Sequence, residues 1–78
     1  MNEIPLSCLR KGDACVVRGL DFQGGMGRRL RDLGLIPGTR IRCAFVAPSG
    51  SPMAFWIRGA VIALRQADCL RITVERCA

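Results

Sequence analysis

The thirteen residues 29–41, Arg-Leu-Arg-Asp-Leu-Gly-Leu-Ile-Pro-Gly-Thr-Arg-Ile, write a helix end, a turn and a strand start with no spare residue between them. Leu30 and Leu33 are three apart and Met26 lies one turn earlier. That spacing predicts a short helix over 26–33 whose apolar stripe is Met26, Leu30 and Leu33, with Arg28, Arg29, Arg31 and Asp32 turned outward. Gly34 follows the last periodic residue and supplies the left-handed backbone that closes a helix. Pro37 and Gly38 form the central pair of a type II turn, and the chain leaves that turn as a strand.

The flanking segments carry the period of β-structure. A first strand is predicted over 13–18 around Val16 and Val17, after the turn Lys11-Gly12-Asp13. Residues 19–27 hold four glycines in nine positions and read as a loop. Ile41, Cys43 and Phe45 alternate with Arg40, Arg42 and Ala44, the pattern of a half-buried strand with a basic outer face. Residues 47–52, Ala-Pro-Ser-Gly-Ser-Pro, are a loop by composition, with Gly50 as its turn former. Strands over 53–58 and 61–65 are joined by Gly59-Ala60, glycine first, as a type II′ turn requires. After a tight turn at 66–68, Leu70, Ile72 and Val74 alternate with polar residues in a last strand. Five or six short strands, with one short helix in the first long connection, predict a mainly β fold that avoids open edges by curling into a small barrel.

At 78 residues the chain is expected to be one domain over 1–78, burying only roughly 60% of its unfolded surface. No apolar run approaches the ~20 residues of a membrane helix, and no basic region followed by an apolar core opens the chain, so a soluble cytoplasmic protein without membrane insertion is expected. Twelve basic residues, eleven of them arginine, against six acids give a net charge of +6, which favours acidic partners of any kind. The aromatics Phe22, Phe45, Phe55 and Trp56 mostly sit in strand-like segments and no reading helix is evident, so nucleic acid is not the expected partner.

Reactive chemistry is sparsely encoded. The five cysteines, Cys8, Cys15, Cys43, Cys69 and Cys77, include no C-x-x-C, and histidine is absent. Cys15, Cys43 and Cys69 fall in apolar segments and read as small buried hydrophobes. Cys77, next to last, is the thiol open to an intermolecular disulfide and hence to self-association. Residues 19–26 have the glycine spacing of a phosphate loop, but Gly25 stands where its lysine belongs and Met26 where its hydroxyl belongs. The acids are scattered singly, so no acid–base pair or activated nucleophile is expected and the chain does not read as an enzyme. Asp68, Cys69 and Cys77 come nearest to a metal set but read as a turn residue and two unrelated thiols, so neither metal nor cofactor is expected.

The combination Arg29-Leu30-x-x-Leu33-Gly34-Leu35-x-Pro37-Gly38-x-x-Ile41, then Ala47-Pro48-x-Gly50-x-Pro52, then Gly59 and Leu64-Arg65-x-Ala67, resembles the FeoA family and covers about nine-tenths of the chain in order. FeoA proteins are small cytosolic components of bacterial ferrous iron uptake. The resemblance implies an SH3-like barrel and a partner, the membrane transporter FeoB, whose cytosolic part carries a GTPase domain. Most matching positions report fold: Leu30, Leu33, Leu35 and Ile41 as core, and Gly34, Pro37, Gly38, Gly50 and Gly59 as caps and turns. The polar exceptions are Arg29 and Arg65, and with Arg28 and Arg31 they form the expected partner-binding set. The barrel also resembles the C-terminal domain of metal-dependent repressors of the diphtheria toxin repressor kind, which leaves a small metal- or nucleic-acid-binding barrel as the alternative. Because the signature begins almost at Met1, a stand-alone accessory protein is expected instead of a repressor.

Overall fold

The structure, a computed structural model, describes residues 2–77. Its elements are β1 (Glu3–Pro5), a 3-10 turn (Leu6–Cys8), β2 (Ala14–Leu20), α1 (Gly24–Asp32), β3 (Arg40–Val46), β4 (Met53–Ile57), β5 (Ala60–Leu64), α2 (Gln66–Cys69) and β6 (Ile72–Arg76). The six strands form one antiparallel sheet in the order β1-β6-β2-β3-β4-β5, so β1 and β5 are its edges. The mainly β expectation with one helix in the first long connection is what the chain adopts.

The junction after α1 is a Schellman cap. The Gly34 amide donates to the Arg31 carbonyl at 3.0 Å, and the Leu35 amide donates to the Leu30 carbonyl, also at 3.0 Å. Gly34 takes φ +108°, and both Leu30 and Leu35 are buried, which supplies the apolar contact that accompanies this motif. The Thr39 amide then donates to the Ile36 carbonyl at 3.0 Å, with Gly38 at φ +95°, as the type II turn requires. Gly50 and Gly59 likewise have positive φ.

Several expectations change on contact with packing. Met26 and Leu33, expected in the core, are 42% and 40% exposed. Leu30 and Gly27 are the buried residues of α1 instead. A Cβ at Gly27 would stand 3.2 Å from the Phe22 carbonyl oxygen and 3.3 Å from Phe22 Cβ. The helix therefore seats its Gly27–Leu30 side, and Met26 and Leu33 are rotated outward. The segment 19–27 is only partly loop: β2 runs through a register shift between Val17 and Gly19 to Leu20, and α1 begins at Gly24. A second register shift, between Cys43 and Phe45, inserts Ala44 and turns Phe45 to the outer face, 49% exposed.

The β4–β5 turn lies one residue earlier than expected. Ile57 pairs with Ala60, and both Arg58 (φ +50°) and Gly59 (φ +83°) are left-handed, which makes the turn type I′. Leu70 does not begin the last strand but caps α2 and is exposed. β1 escaped the reading because three residues ending in proline carry no periodic signal; it is held by pairing of Ile4 with Val74.

One core cluster includes Leu6, Val17, Leu35, Ile41, Phe55, Ile57, Ile72 and Val74, with Cys15, Cys43 and Cys69 among them. Burial pushes the Cys15 and Cys69 thiols up to about 12 and raises Cys43 as well. Cys8 is exposed and Cys77 partly so.

Two expectations follow from this packing. A Cβ at Gly34 would meet the Arg58 Cδ at 2.8 Å in addition to the strain at φ +108°. Gly34→Val should therefore cost at least about 1 kcal/mol and lower Tm by roughly 4–8 °C in thermal unfolding; an unchanged Tm would reject the cap geometry. The thiols make a pH-dependent claim. Between the ordinary value of 9.0 and about 12, folded Cys15 and Cys69 keep protons that the unfolded chain has lost. Stability from this source is fully present below about pH 9 and is lost as pH rises through about 12. Iodoacetamide at pH 8 should modify Cys8 and Cys77 in the native protein, and Cys15, Cys43 and Cys69 only after denaturation, as mass spectrometry of the peptides would show.

Candidate functional site

The helical rotation at Gly27 creates the most distinctive surface feature. Met26, Arg29, Leu30 and Leu33 of α1 face Ile62, Ala63 and Leu64 of β5 across a groove of about 210 Å³, with Arg65 and Asp68 at its rim. That volume is below the usual range of a cofactor pocket. Its floor is apolar because Leu30 and Leu64 are buried, and its α1 wall is apolar because Met26 and Leu33 stand out from the core. A second, more polar depression lined by Asp21, Phe22, Gln23, Met26, Asp68 and Arg71 adjoins it through Met26 and Asp68.

The four arginines singled out from the sequence do not share one face. Successive helical residues turn by about 100°. Arg29 lies on the side of Met26 and Leu33 and lines the groove, while Arg28 and Arg31 project on the far flank. Arg65 comes from another part of the chain. It caps α2, its carbonyl accepting the Asp68 and Cys69 amides at 3.0 and 3.1 Å, and this places its side chain at the groove opposite Arg29. The structure thus brings Arg29 and Arg65 together and leaves Arg28 and Arg31 apart from them. All four are exposed, and among the described residues none makes a side-chain hydrogen bond or ion pair.

Other arginines are committed to the fold. Arg18 pairs with Glu75 at 3.1 Å, and Arg76 with Asp13 at 3.6 Å while donating to the Cys8 carbonyl at 3.1 Å. Arg42 donates to the Gly12 carbonyl at 2.9 Å. Two of the six carboxylates are therefore held in ion pairs, and the buried thiols are protonated at neutral pH. Among the described residues no three His, Cys, Asp or Glu side chains converge. No helix among the described residues is long and apolar enough to cross a membrane. What the groove offers is contact: apolar area and two cations, Arg29 and Arg65, that form no ion pair among the described residues.

Sequence reasoning missed Ile62 and Ala63 as site residues, since a five-residue apolar run reads as core. It also placed Met26 and Leu33 inside. The signal available was Gly27, whose missing side chain marks where a helix can approach its neighbour.

The solution structure of the FeoA protein of Chlorobium tepidum matches 96% of this chain and 71% of that one at 32% identity, with a TM-score of 0.90. FeoA of Stenotrophomonas maltophilia, described as an SH3 domain protein complexed with zinc, matches 90% of this chain and 87% of that one at 28% identity and a TM-score of 0.78. IdeR of T. acidophilum matches 99% of this chain and 35% of that one at 17% identity and a TM-score of 0.84, a likeness of fold alone. Among curated protein sequences none matches significantly. The FeoA domain model matches residues 4–76, nearly the whole chain, and with the six-stranded SH3-like sheet and the capped helix α1 this establishes that the chain belongs to the FeoA family.

Proposed function

We propose that this chain is a cytoplasmic, single-domain accessory protein of bacterial ferrous iron uptake that docks on the cytosolic GTPase part of the FeoB transporter and modulates its activity or assembly. The observation that carries the reading is the convergence of Arg29 and Arg65, neither held by a carboxylate, on an apolar groove walled by exposed Met26 and Leu33. Exposed apolar area rimmed by unpaired charge is what a protein interface needs: desolvation of the apolar part supplies affinity, and the charges supply steering and register. Membership of the FeoA family supports the iron-uptake setting. For the Stenotrophomonas relative, a role as a ferrous iron transport activating factor has been put forward. The role is not enzymatic; the chain acts by binding.

The two arginine pairs should behave differently. Arg28 and Arg31 lie outside the groove and act at longer range, so Arg28→Glu with Arg31→Glu should mainly slow association and flatten its salt dependence. Arg29→Glu with Arg65→Glu should weaken binding of the transporter's purified cytosolic domain by at least about tenfold. Circular dichroism and Tm should stay unchanged in both, since exposed unpaired charges contribute little to stability. Titrations at low and physiological salt decide the matter, and unchanged affinity in the Arg29/Arg65 variant would remove the groove as the docking site.

A further inference from the structure

The two edges of the sheet are unequal. β1 is three residues long, begins with Glu3 and ends with Pro5. Charge, brevity and proline are the usual protections of an edge strand. β5 has none of them: Ala60-Val61-Ile62-Ala63-Leu64 is five apolar residues without charge, glycine or proline. No described strand covers its outer side.

The register shows which backbone groups that edge presents. In a two-residue type I′ hairpin the residues flanking the turn exchange both backbone hydrogen bonds, and such pairs then alternate along the ladder. Ile57 pairs with Ala60, Phe55 with Ile62 and Met53 with Leu64. Those β5 residues spend their amides and carbonyls on β4. Val61 and Ala63, opposite Trp56 and Ala54, point theirs away from the sheet. Both are exposed, Val61 by 51%. Ile62, Ala63 and Leu64 also form one wall of the groove against α1. A strand laid along β5 would find two amides and two carbonyls to pair with. On one face it would meet the groove between Met26, Leu33 and Ile62, and on the other Val61 and the half-exposed Trp56.

We propose that the free edge of β5 captures an extended segment of the partner protein, with apolar residues at alternate positions and acidic residues at its ends, which joins the sheet as a seventh strand. The charges choose this occupant. Arg58 precedes β5 and Arg65 follows it, with Arg29 across the groove, against the single carboxylate Asp68. A second copy of this chain pairing antiparallel through β5 would bring Arg58 of one copy close to Arg65 of the other at both ends, a like-charge arrangement in an otherwise complementary edge. An acid-ended segment removes that repulsion and supplies partners for all three arginines. The proposal rests on the docking reading above and names the mode by which the same groove is filled.

The test uses the full chain, labelled with nitrogen-15, and the capped heptapeptide Glu-Val-Thr-Val-Thr-Val-Glu. Its amides should perturb Val61, Ala63 and the α1 wall, whereas a peptide with lysine at both ends should bind at least about tenfold more weakly. N-methylating the peptide's valine amides in one version and its threonine amides in another separates backbone pairing from side-chain contact. One version should lose binding and the other keep it, because only alternate amides face a neighbouring strand. Val61→Pro should also lose binding while keeping the β4 ladder, since the Val61 amide faces outward. Peptide binding that ignores both N-methylations, absence of binding at millimolar peptide, or concentration-dependent dimerisation that the peptide does not reverse would each overturn the proposal. The transporter's cytosolic domain distinguishes the two levels. If it binds the wild type and Val61→Pro equally, docking stands and edge pairing falls; if it does not bind at all, docking on that domain falls while the peptide result still decides the edge.

Discussion

The hydrogen bond from the Leu35 amide back across Gly34 to the Leu30 carbonyl is the contact on which the arrangement depends. It fixes the end of α1 and sends the chain into the Pro37-Gly38 turn and β3 with both leucines buried. It needs a residue at φ +108° with no side chain, because the stem of Arg58 occupies the space where a Cβ would sit. Gly34 thereby couples the helix to the β4–β5 hairpin. Arg58 also sets a cation beside the C-terminal end of α1, where the last carbonyls carry partial negative charge. One glycine thus positions both walls of the groove.

A second glycine decides what those walls present. Because Gly27 lets α1 approach Phe22 closely, the helix buries its Gly27–Leu30 side, and Met26 and Leu33 are lifted to the surface. Leaving two large apolar residues about two-fifths exposed on α1 forgoes hydrophobic stabilisation of the order of 1 kcal/mol each. The close seat of Gly27 on Phe22 accounts for that arrangement, and the docking surface proposed above is built from what it leaves outside.

The sequence made the turns legible because glycine and proline act through local sterics: Gly34, Gly38, Gly50 and Gly59 all stand at positive φ. Alternation located β3 and β6 for the same reason, each residue's face being set by its own strand. What failed were properties that no single segment contains. The burial of Leu30 and not of Met26 or Leu33 depends on how α1 sits on the core, the outward turn of Phe45 depends on a bulge opposite Ala54, and the exposure of β5 depends on its being last in the sheet order. The candidate site was half visible. Arg29 and Arg65 stood out within the family signature, but their convergence comes from tertiary structure, and Arg28 and Arg31, adjacent in sequence, are separated from them by the helical turn.

The most direct measurement is residue-resolved amide hydrogen exchange in the free protein and in its complex with the transporter's cytosolic domain. In the free protein Val61 and Ala63 should exchange quickly although they lie in a strand, while Ile62 and Leu64, bonded to β4, are protected along with Gly34 and Leu35. On binding, Val61 and Ala63 should slow by at least about tenfold and the cap amides should not change. Protection of Val61 and Ala63 already in the free chain, or rates for them that the complex leaves untouched, would contradict the account.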